Sequence, residues 1–129
     1  MANITANIKN DLYKVTVTSE TGNTILADEP MALGGLDLGL NPKELLVASL
    51  ASCTLITLRM YTNHKKWDLK EVDINVTLHV DEVTNETIIN RKLTFIGNLD
   101  DTQKQRLLAV ANACPVHKIL SNTTNIITQ

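Results

Sequence analysis

Hydrophobic and polar residues change their rhythm along this chain, and each rhythm predicts a different element. From Ile4 to Ile8 and from Tyr13 to Val17 they alternate, which predicts two strands of a hairpin joined by a Lys9-Asn10-Asp11 turn. Thr21-Gly22-Asn23 is a second turn, Thr24 to Ala27 a third short strand, and Asp28 to Leu40, with Pro30, Gly34, Gly35 and Gly39, a loop. From Asn41 to His64 the alternation disappears. Asn41 can cap a helix, Pro42 suits its first position, and Glu44 stands three residues after the cap. No charge occurs from Leu45 to Leu58. That run falls short of the roughly 20 apolar residues a bilayer requires, so a helix buried nearly all round is expected. Leu46, Leu50, Cys53, Thr57 and Met60 share one stripe of it, and His64, Lys65 and Lys66 bring the positive charge that a helix C-terminus favours.

Period two then returns. Leu69, Val72, Ile74, Val76, Leu78 and Val80 mark a long strand, Thr84-Asn85-Glu86 a turn, and Thr87 to Ile96 the returning strand with Ile89, Leu93 and Phe95 in phase. Arg91 shares that phase and reads as a side chain that snorkels past the covered part of the sheet. Asp100, with Gln103 three residues on, opens another helix whose inner face is Leu107, Leu108, Val110 and Ala111. Pro115 suits the start of a further helix to about Leu120, which leaves Cys114 at its N-cap; Thr123 to Ile127 reads as a last strand. Strands and helices in this order predict an α+β chain, a single domain over residues 1–129 without repeat or linker.

Composition adds constraints. Hydrophobic residues are 43% of the chain but aromatic ones only 3%, so the core must be aliphatic. Twelve basic against fourteen acidic residues give a net charge of -2. Neither a nucleic-acid surface nor a membrane-seeking face is expected, because both need concentrated positive charge. MANITANIKN has no basic segment followed by an apolar one, so no signal peptide is read and a cytoplasmic location is expected. There, a cysteine pair is more often redox-active or catalytic than structural.

Cys114 at a helix N-terminus would face unpaired N–H groups that favour thiolate. Cys53, among aliphatic residues in mid-helix, has no such help, and as a single residue it reads equally as core. His64, His79 and His117 are scattered and hold no metal-ligand spacing, so neither metal nor bound cofactor is expected. A Cys114–His117 pair and a Cys53-based thiol hydrolase remain alternatives, the latter without a third orienting residue. Glu44 has a sufficient role in the capping box.

The segments DEP, GG-x-D-x-G, NPKELLVASLASCT, TLRMY, KKW and RKLTFIGNLDDTQKQRLLAVANACPVHKIL occur in the order found in the OsmC/Ohr family of peroxiredoxin-type thiol peroxidases. The chain resembles its OsmC-like branch. The resemblance implies an OsmC-like α+β fold, with antiparallel sheets wrapped around long central helices in an intertwined homodimer. It also implies reduction of organic hydroperoxides, in oxidative-stress defence, by Cys53 as the peroxidatic thiol and Cys114 as the resolving one. An external dithiol, such as a dihydrolipoyl group, would restore both. Two departures stand out. The family's N-terminal arginine is absent, since the first arginine is Arg59, and the family's helix-start glutamate falls on Lys43, with Glu44 one residue late. Glu44 and Lys43 precede Cys53 by nine and ten residues, about 13 and 15 Å along a helix. Any charge that helps Cys53 must therefore come from elsewhere: Lys43 of a second subunit, or Arg59 or Arg91. Burial is expected to prevail and to leave Cys53 a slow nucleophile. The alternative is a dimeric OsmC-like protein that binds a small ligand without efficient turnover.

Overall fold

The computed structural model describes residues 1–129 and divides into two compact units, Met1–Leu46 and Val47–Gln129. In the first, β1 (Ile4–Ile8), β2 (Val15–Ser19) and β3 (Thr24–Ala27) form an antiparallel sheet in that order. The turn after β1 is longer than the sequence suggests. Leu12 takes a left-handed φ of 52° and Lys14 N–H bonds the Asp11 carbonyl, so pairing resumes at Val15 rather than Tyr13. Asp28, buried just after β3, organises the following loop by accepting N–H bonds from Glu29, Leu36 and Leu38 at 2.8, 3.3 and 3.2 Å. Burial alone would push its carboxyl up; the three N–H groups hold it below the usual range. Gly39 is required there, because a Cβ would stand 2.0 Å from the Leu26 carbonyl oxygen.

Asn41 starts α1 (Pro42–Lys65): its Oδ1 accepts the Glu44 N–H at 2.9 Å, and its amide donates to the Glu44 carboxylate at 2.6 Å. The capping role read for Glu44 is met in full. Only one stripe of α1 is fully buried, Leu50, Thr54, Leu58 and Thr62 at steps of four, whereas Leu46, Ile56 and Met60 are exposed. The expected all-round burial does not occur within one chain, because a two-stranded sheet covers one side of a helix. The two buried threonines cost little: their hydroxyls donate to the Leu50 and Leu58 carbonyls at 2.7 and 3.0 Å, within the helix itself. By length and composition α1 is apolar enough to cross a bilayer. Its charge-free run, however, spans only about 20 Å at 1.5 Å per residue, short of a hydrocarbon core of about 30 Å.

The second unit is built on β4 (Asp68–Val80) and β5 (Thr87–Asn98), an antiparallel hairpin in continuous register from Val80↔Thr87 to Glu71↔Ile96. Along both strands half-buried residues alternate with exposed ones, so one face is covered and the other open, as period two requires. The register slips at Leu69/Glu71, opposite Gly97, whose φ of +151° and approach to the Asp68 carbonyl leave no room for a side chain. Then come α2 (Asp101–Ala111), with the full Asp100–Gln103 capping box, and α3 (Pro115–Ser121), with Cys114 at its N-cap. Leu58, Leu69, Leu107 and Val110 form the core, with Tyr61, Trp67, Val72, Leu93, Phe95 and Leu99 packed around it. Leu108 is exposed instead, since 100° per residue turns it away from Leu107. Thr123 to Ile127 form no strand: no strand of this chain pairs with them, and Ile126 and Ile127 are exposed.

Candidate active site

Cys53 sits one residue before buried Thr54 on α1, and is itself half-buried. Cys114 ends the short link between α2 and α3 and is completely buried. Residues sixty-one apart in sequence are thus brought close enough that each thiol shifts the ionisation of the other. Both are free thiols.

The two environments differ. Burial raises the Cys53 pKa, and Cys114 raises it further, against lesser help from the Val116 N–H and the Thr57 hydroxyl. Burial also acts to raise Cys114, but the Cys53 thiol, the N–H groups of His117 and Val116, and Thr54 together outweigh it and bring Cys114 below the ordinary thiol range. Cys114 is therefore the more acidic thiol of the pair and Cys53 the less acidic one.

Arg91, named above as one possible source of charge, does not take the snorkelling position that its strand phase suggested. It reaches inward from β5. Nη1 donates to Thr54 Oγ1 at 3.1 Å and to the Ala111 carbonyl at 3.0 Å; Nη2 donates to Asn112 Oδ1 at 2.9 Å and to His117 Nδ1 at 2.8 Å. Because a guanidinium only donates, His117 must offer a lone pair at Nδ1 and carry its hydrogen at Nε2. His117 is thus tied into the site and half-buried, rather than a free surface residue. The one sequence signal for this was the apolar phase that Arg91 shares with Ile89, Leu93 and Phe95.

The other charged residues singled out have these places within one chain. Arg59 donates to the Leu69 and Lys70 carbonyls at 2.6 and 3.2 Å, so its guanidinium anchors the start of β4. Glu44 is held by Asn41, and Lys43 is exposed in the first turn of α1. No group of three or more His, Cys, Asp and Glu side chains gathers where one ion would touch them. An open cavity of about 200 Å³ shares Arg91 and His117 with this network and is lined further by the apolar Leu50, Ile89 and Leu120 and the polar Thr87 and Ser121; neither cysteine lines it.

Comparison with known proteins places this arrangement. The solved structure of an OsmC-like protein from Mycoplasma pneumoniae superposes with a TM-score of 0.80 at 22% identity, covering 95% of this chain and 88% of that one. The organic hydroperoxide resistance protein OhrB of Bacillus subtilis gives 0.62 at 26% identity, covering 92% and 89%. An organic hydroperoxide resistance protein OsmC from Legionella pneumophila gives 0.66 at 22%, covering 93% and 88%. No curated protein matches the chain. The family model described as OsmC-like protein matches residues 34–129, from the loop before α1 through both cysteines to the last residue, and the chain belongs to that family.

Proposed function

We propose that the protein is a thiol-dependent reductase of organic hydroperoxides, acting in the cytoplasm as a homodimer. The observation that carries this reading is the nearness of one accessible thiol, Cys53, to one buried thiol, Cys114. A peroxide can reach the first, and the second waits beside it. The Cys114 thiolate takes the Cys53 proton, which frees Cys53 to attack the peroxide O–O bond. Cys53 becomes a sulfenic acid as the O–O bond breaks, and the alkoxide leaves as the alcohol with a proton from solvent. Cys114 then displaces hydroxide from the Cys53 sulfur, water departs, and a disulfide remains for an external dithiol to reduce. The apolar side of the neighbouring cavity suits an alkyl group. The names of the Bacillus subtilis and Legionella pneumophila relatives support the same substrate class.

The homodimer is supported by Leu46, Ile56 and Met60, which stand exposed on α1 with relative accessibilities of 42, 55 and 68%. Sedimentation at micromolar concentration should give a dimer, and a stable monomer would remove this part of the proposal. The reaction is tested by consumption of an alkyl hydroperoxide coupled to a dithiol. Cys53→Ser should abolish it; equal consumption by wild type and variant would overturn the reading. A second reading, a dimeric protein that binds a small ligand without turnover, is favoured by one observation. No arginine precedes Arg59, and Arg59 is spent on β4. Its signature would be saturable ligand binding without peroxide loss.

A further inference from the structure

We propose that Arg91 is the positioning residue for disulfide formation: its guanidinium fastens the α2–α3 link that carries Cys114 to Thr54 of α1, and so holds the two sulfurs in line. The proposal rests on the thiol-peroxidase reading given above. The four partners of Arg91 straddle the pair. Thr54 is adjacent to Cys53, Ala111 and Asn112 precede Cys114, and His117 follows it. Beyond the burial of Ala111 and Cys114, the link's own polar ties are short-range. Its backbone bonds are single-turn contacts, of which Cys114 N–H to the Ala111 carbonyl is 3.5 Å long. The Ala111 carbonyl stands at the C-terminal end of α2, where a cation is favoured. A planar fork with four well-placed partners fixes a position in a way that a point charge does not.

The step it serves is balanced within the pair. The Cys53 S–O bond breaks as the S–S bond forms, and the hydroxyl leaves with the Cys114 proton as water; the peroxide has already supplied the oxidising equivalents. If the link is free to swing, Cys53 sulfenic acid should persist instead of condensing.

The experiment compares the full-length wild type with Arg91→Met and Arg91→Lys, each oxidised by cumene hydroperoxide and, separately, by diamide. Dimedone traps Cys53 sulfenic acid, and peptide mapping counts the Cys53–Cys114 crosslink. With peroxide, Arg91→Met should raise the ratio of trapped sulfenic acid to crosslink at least tenfold, and Arg91→Lys should recover part of the loss. General damage to the fold would lower both products together and leave the ratio unmoved, which would overturn the proposal, as would a wild-type ratio. Diamide joins dithiols without peroxide chemistry, so it tests Arg91 even if the wild type consumes no peroxide. Crosslinking should again slow at least tenfold, and an unchanged rate refutes the role of Arg91 while leaving the proposed function standing. Should Arg91→Met not fold, Arg91→Lys carries the test, with at least a threefold change expected and a wild-type ratio refuting it.

Discussion

Oxidising Cys53 and Cys114 to a disulfide should stabilise the native state strongly, because the crosslink closes a long loop. The separation is sixty-one residues, and the chain-entropy relation for a loop of that length gives about 4 kcal/mol at 25 °C. Strain would reduce that figure, but the two thiols already lie near enough to perturb each other's ionisation in the reduced protein, so the movement needed to join them is small. By linkage, folding must make this disulfide harder to reduce by the same amount. A value of about 4 kcal/mol is roughly a thousandfold in equilibrium constant, or about 90 mV for a two-electron couple. Two measurements check this. Urea unfolding of the oxidised and reduced proteins at one protein concentration gives the stability difference, and titration with dithiothreitol in native buffer and in denaturant gives the redox difference. The two should agree. A stability gain under about 1 kcal/mol, or a disulfide as reducible folded as unfolded, would refute the reasoning, since it would mean that the sulfurs do not meet in relaxed geometry.

The thiol pair should also show its asymmetry against pH. Alkylation of Cys53 in the reduced protein should climb only above about pH 8.5, the free-thiol value, while the first thiolate absorbance, from Cys114, appears below it; half-maximal Cys53 alkylation well under that value would show the order to be reversed. Stability follows with a definite sign. Cys114 has a lowered pKa, so its contribution is present above the unfolded thiol value and lost as pH falls through its own; the raised Cys53 acts oppositely, and stability should decline above about pH 8.5. Comparing Cys53→Ser with Cys114→Ser by urea unfolding separates the two. In the core, Leu107→Ala removes a fully buried side chain from contact with Leu58, Leu69 and Val110, and should cost about 2–5 kcal/mol in urea unfolding; a loss below about 1 kcal/mol would show that this cluster is not the core.

Much of this architecture is legible in the sequence because it is local. Asn41 and Asp100 announce their helices through bonds that span three residues, and the β4–β5 hairpin follows from simple alternation. Cys114 at the start of α3 is readable from Pro115 alone. Arg91 is not, because its partners lie 37, 20, 21 and 26 residues away and three of them belong to helices whose placement no local pattern fixes. The burial of α1 fails for a related reason. An uncharged run says that a helix can be buried, but which stripe is buried depends on how many strands cover it. Here the covered positions include Thr54 and Thr62, whose hydroxyls are satisfied within the helix, while Ile56 and Met60 face outward. That the two cysteines meet followed from family resemblance, and their spacing alone could not have given it.

The hairpin register also dictates an order of events during folding. Beginning at the turn between Val80 and Thr87, each further pair adds one residue on either strand, so the hairpin can zip without ever closing a large loop. Once Leu69 is paired with Gly97, the path from Cys53 to Cys114 is about half as long as the chain between them. Halving a loop lowers its closure cost by about 0.6 kcal/mol. The hairpin should therefore form first and the sulfurs meet last, which makes their crosslink a clock for the end of folding. In refolding followed by timed pulses of diamide, the Cys53–Cys114 bond should appear only after the strand signal is complete; a crosslink that precedes it would mean that α1 and the α2–α3 link find each other before the sheet between them exists.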